Sequence, residues 1–76
     1  MASILNAGRQ QAGLSVTDLW IDCFGLGWTG TEADLTDVLL GDRIPSGHEY
    51  DEIAQAINDK FIELGHDHPV PYAEDL

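Results

Sequence analysis

The chain has 76 residues, with 14 Asp and Glu against 3 Lys and Arg, and a formal net charge of −11. One domain fits that length, and folding at this size buries only about 60% of the unfolded surface. The charge disfavours anchoring on DNA, RNA or anionic lipid, because phosphate neutralisation needs several cations. A hydrophobic fraction of 43% is too high for a disordered acidic tail.

In chain order, Ser3 to Gln11 reads either as a short helix stopped by Gly13 or as a frayed arm. Ser15-Val16-Thr17-Asp18 offers an N-cap serine with a carboxylate three residues on. Val16, Leu19, Trp20, Cys23 and Phe24 follow at the spacing of an amphipathic helix, and Gly25 and Gly27 end it. The next start lies at Thr29-Gly30-Thr31-Glu32, where either threonine can cap. Leu35, Val38 and Leu39 form its buried stripe, and Gly41 stops it.

Pro45 biases the connector Asp42-Arg43-Ile44-Pro45 towards extended geometry. Ser46-Gly47-His48-Glu49 is then a full capping box. Tyr50, Ile53, Ala54, Ile57, Phe61 and Leu64 continue at helical spacing to Gly65. Residues 66–76 contain two prolines and read as extended, with Pro69-Val70-Pro71-Tyr72 packed across the helices. The expected fold class is all-α: a compact bundle of three to five short helices with an extended, Pro-containing C-terminal segment. Residues 1–14 form the arm or first helix, 15–65 the helical core and 66–76 the tail of one domain.

The order Arg9…Gly13-Leu14-Ser15…Asp18-Leu19…Gly41-Asp42-Arg43-Ile44-Pro45-Ser46…Ile53-Ala54-Gln55-Ala56-Ile57 resembles the repressor-like helix-turn-helix family, the Cro/XRE class. The similarity covers roughly residues 9–61. It implies a scaffold helix opened at Ser15, a recognition helix ending at Gly41, and a Pro-Ser connector into the last helix. It also implies sequence-specific DNA binding. Three departures stand out. The turn around Phe24 to Gly30 is about five residues longer than the family's, and Trp20 stands where a small residue is usual. The segment matching the recognition helix, Thr31 to Leu40, holds no Arg, Lys, Asn or Gln, the side chains that mainly read bases. It carries Glu32, Asp34 and Asp37 instead.

Chemistry-bearing residues are sparse. Cys23 lies on an apolar stripe and reads as a small buried hydrophobe. A single cysteine gives no disulfide framework, which fits a reducing cytoplasm. His66-Asp67-His68, with His48 as a third ligand, would be the only metal candidate, and a polar loop is the expected reading. Gly25-Leu26-Gly27 reads as a helix stop, and no nucleophile elbow is present. The N-terminus lacks a basic segment followed by a long apolar run, so no signal peptide is expected, and no apolar run is long enough to span a membrane. The chain is therefore expected to be non-enzymatic, without a cofactor or metal.

The acids divide by position. Glu49, Asp51 and Glu52 occupy the first turn of the last helix, where the dipole favours them. Asp34, Asp37 and Asp42 read as late in, or just beyond, their helix. They read first as a solvated face; with Asp18, Asp22 and Glu32 they are also candidates for one negative docking face. Trp28 either staples the long turn or, if exposed, anchors a contact. Tyr72 has the same two readings. The expected function is a small acidic regulator of transcription that docks on a basic protein surface. The alternatives are a DNA-binding repressor and a DNA mimic that occupies a nucleic-acid-binding protein. A homodimer could form through apolar surface around Trp28 and the tail.

Overall fold

The computed structural model describes residues 4–67 and 69–75. The expectations on Ser3 and His68 fall outside that range. Four helices follow in order: α1 Ile4–Ala12, α2 Val16–Gly25, α3 Glu32–Leu40 and α4 Gly47–Glu63. A short 3-10 turn, Ala73–Asp75, follows in the tail, where extended chain is expected. The fold is an all-α bundle with α4 at its centre: α1, α2 and the 3-10 turn pack on α4, and α3 packs on α2 and α1.

The region left open between helix and arm is helix α1. Leu5, Gly8 and Ala12 are its buried residues, spaced along one face. Arg9 ties its end, donating from Nη1 to the Leu14 carbonyl at 2.8 Å and from Nε to Asn6 Oδ1 at 3.0 Å.

Helix α2 starts at Ser15, whose hydroxyl accepts from the Asp18 N–H at 3.0 Å. Leu19 and Cys23 are fully buried, while Val16 and Trp20 pack half-buried against the core. Phe24, read as part of this stripe, is 67% exposed. It touches only the edge of the bundle, tilted against Trp20 at 6.2 Å between ring centroids. The helix ends through Gly27 rather than Gly25. The Gly27 N–H donates to the Phe24 carbonyl and the Trp28 N–H to that of Cys23. This closure requires the left-handed backbone that Gly27 adopts at φ +109.

Thr31, not Thr29, caps α3. Its hydroxyl accepts from the Asp34 N–H at 3.1 Å, and Asp34 Oδ2 accepts from the Thr31 N–H at 2.9 Å. The stripe of Leu35, Val38 and Leu39 is buried as the spacing predicts. The capping box of α4 also forms as expected, with Ser46–Glu49 bonds of 3.1 and 3.0 Å. The buried face of α4 is wider than its apolar stripe and takes in Glu52, Ala56 and Asn58. Leu64, read as part of that stripe, is 50% exposed at the helix end.

The tail crosses the bundle and is pinned there. Asn58, 1% exposed, donates to the Val70 carbonyl at 2.8 Å and accepts from the Val70 N–H at 2.9 Å. Asp51 Oδ1 accepts from the Ala73 N–H at 2.8 Å. Val70 sits so close to α1 that a Cβ built on Gly8 would lie 2.8 Å from Val70 Cγ2. Glycine in a helix interior normally costs about 1 kcal/mol against alanine. Here Gly8→Ala is expected to destabilise by about 1–2 kcal/mol, because the pinned, β-branched Val70 cannot yield freely. Urea denaturation checks this: Val70→Ala should restore the helical gain of Gly8→Ala, and equal effects in both backgrounds would refute the contact.

Candidate protein-docking surface

Trp28 is 3% exposed and belongs to the core. The stapling alternative is the one the structure takes, so Trp28 is not an exposed contact anchor. Gly30 lies flat on the indole, and a Cβ there would sit 2.9 Å from the ring. The Gly30 carbonyl accepts from Trp20 Nε1 at 3.2 Å. Tyr72 packs half-buried against the core, and Val70 is buried within it. The apolar self-association surface expected around Trp28 and the tail is thus largely consumed inside the monomer.

The acids differ in what holds them. Asp34 is in the first turn of α3, not late in it, and its carboxylate is part of the N-cap. The Thr31 N–H holds the Asp34 carboxyl below the usual carboxylate range, and the Thr31 hydroxyl and Arg43 act in the same sense. Glu32 accepts from the Thr17 hydroxyl at 2.6 Å, tying α3 to α2. Glu49 is lowered first by the Ser46 N–H and then by Arg43. Asp18, Asp22, Asp37 and Asp42 remain exposed.

Arg43 gathers the N-termini of α3 and α4. It lies 2.8 Å from Glu49 and 3.9 Å from Asp34, with its guanidinium 6.0 Å from the centre of the Trp28 ring. Arg9 is spent on the α1 terminus, and Lys60 lies 3.8 Å from Glu63. Each of the three Lys and Arg side chains therefore has an intramolecular partner.

A groove of about 380 Å³ runs between α2 and α4. Ile21, Asp22 and Gly25 line it from α2, and Ala56, Asp59, Lys60 and Glu63 from α4, with Leu26 at one end. Of these, only Asp22 was among the sequence candidates. The missed signal is the pair Asp59 and Glu63 in the second half of α4. Carboxylates there oppose the helix dipole, so capping does not explain them.

Cys23 is fully buried. Burial, then the charges of Glu52 and Asp22, push its thiol up from 9.0 to about 12. Native protein is therefore expected to resist DTNB at mildly alkaline pH and to react only on unfolding. The raised folded value has a definite sign. Its contribution to stability is complete below about 9 and is lost as pH rises towards about 12. Thiol labelling in urea at increasing pH reads both effects; rapid labelling of folded protein would contradict them.

Among the described residues no group of three or more His, Cys, Asp or Glu could hold a metal ion. His66 packs edge-on against Phe61, with centroids 6.3 Å apart. No described helix is long and apolar enough to cross a membrane. Comparison with family models, curated proteins and solved structures gives no significant match.

Proposed function

We propose that the chain is a small, non-catalytic cytoplasmic regulator of transcription that docks its acidic surface on a basic protein partner. The observation that carries this reading is the engagement of every Lys and Arg side chain within the fold. DNA binding by the helix-turn-helix resemblance would have to break Arg43 away from Glu49 or Lys60 from Glu63. It would also have to bring α3, with Glu32, Asp34 and Asp37, against phosphates. A basic protein surface asks for neither, and the exposed Asp18, Asp22, Asp37 and Asp42 attract it.

The test is affinity capture from nuclease-treated extract, followed by binding measurements on the purified partner. Affinity should fall with salt, and Asp18→Lys and Asp37→Lys should each weaken binding several-fold. These positions are preferred to Asp34, whose replacement also removes a cap of α3. A salt-insensitive complex, unaffected by both reversals, would remove the electrostatic premise. Retention of a defined DNA fragment at micromolar protein would favour the repressor reading instead.

A further inference from the structure

We infer that the α2–α4 groove is the seat of the partner's contact, and that its occupant is a basic amphipathic helix. This inference rests on the protein-docking reading and names the chemistry of the partner. The groove has an apolar floor and an acidic rim. Ile21, 56% exposed, and Leu26 line it from the α2 side, and the buried Ala56 from α4. Gly25 adds no side chain, and a Cβ built there meets nothing within 4 Å. The space is thus open where α2 would otherwise fill it. Asp22 stands on one wall, with Asp59 and Glu63 on the other.

Charge complementarity selects the occupant. A helix laid in a groove presents apolar anchors at i, i+3, i+4 and i+7, flanked by its polar residues. Lys or Arg beside the anchors would meet Asp22, Asp59 and Glu63, while an apolar side chain enters over Gly25 and Ala56. Lys60, the groove's single Lys or Arg, is already turned to Glu63 at 3.8 Å. A second copy of this chain would bring another net charge of −11 against the rim. Nucleic acid would bring phosphates to the same carboxylates.

The experiment titrates the full chain with a fluorescein-labelled helical peptide of leucine and lysine, its leucines at that spacing. Two controls replace lysine by glutamate or leucine by serine. The lysine–leucine peptide should bind, shifting the amide resonances of Ile21, Gly25, Leu26 and Ala56, and both controls should fail. Gly25 lies outside the positive-φ set, so Gly25→Phe fits the backbone and fills the groove. It should weaken binding about tenfold or more with an unchanged melting midpoint. If circular dichroism shows that this variant is perturbed, Ile21→Ser at the exposed wall replaces it. Asp59→Asn with Glu63→Gln should weaken binding about fivefold.

Unchanged affinity in these variants overturns the groove. If Asp18→Lys and Asp37→Lys still weaken the peptide, the acidic-docking reading survives that result. Failure of every basic peptide to bind at low salt overturns both. Self-association abolished by Gly25→Phe, or competition by duplex DNA, would assign the groove to another occupant and overturn the inference.

Discussion

Asn58→Ala is expected to cost about 2–5 kcal/mol of folding free energy, against the roughly 4–11 kcal/mol typical of a chain of 76 residues. The substitution leaves two buried backbone groups of Val70 without partners, the N–H held at 2.9 Å and the carbonyl held at 2.8 Å. Each orphaned group carries its own desolvation penalty. The damage should spread along the tail, since Val70 also packs closely against Gly8 of α1. Asn58→Asp should recover little: it keeps an acceptor for the N–H but opposes the carbonyl with a buried charge. Urea denaturation gives the free energy, and amide exchange at Val70 locates it. A near-neutral free energy with Val70 still protected would show that the clamp is not what holds the tail.

Trp28→Ala should be as damaging, at about 3–5 kcal/mol, the range for deleting a large buried aromatic. The indole supports Gly30 and lies under Arg43, so its loss empties the turn joining α2 to α3. Its Nε1 has no hydrogen-bond partner among the described residues. Trp28→Phe should therefore cost much less, because it sacrifices volume and no bond. Urea denaturation of the two variants separates volume from polarity. An alanine variant of unchanged stability that lost partner binding would return Trp28 to the role of a contact anchor.

The local elements were legible for local reasons. Ser15, Ser46 and the glycines at 13, 41 and 65 act through bonds within a few residues of themselves. Their roles can be read without knowing what they pack against. Two close choices were less visible. Thr29 and Thr31 offer similar caps, and only the reciprocal bonds with Asp34 choose between them. Asp34 is accordingly the third residue of α3, in its first turn rather than late in it. Phe24 and Leu64 follow the apolar spacing but lie exposed at the surface of the bundle.

The candidate site was less legible than the fold. Asp18, Asp22, Asp37 and Asp42 were readable as acidic surface because carboxylates rarely bury. Their grouping was not. Periodicity tells which face of one helix is apolar, but not which two helices leave a gap between them. The α2–α4 groove joins Asp22 to Asp59 and Glu63 across more than thirty positions of sequence.

Composition and local spacing determined that this protein is acidic and helical, with most of its caps and stops in place, and that it has only three Lys and Arg side chains. These are properties of residue type and short-range bonding. The tertiary structure decided what each ambiguous residue does. It placed Trp28 inside, set Arg43 over the Trp28 ring, and used Asn58 to hold Val70. Each of those outcomes depends on contacts between segments distant in sequence or on burial, and neither has a local pattern to announce it.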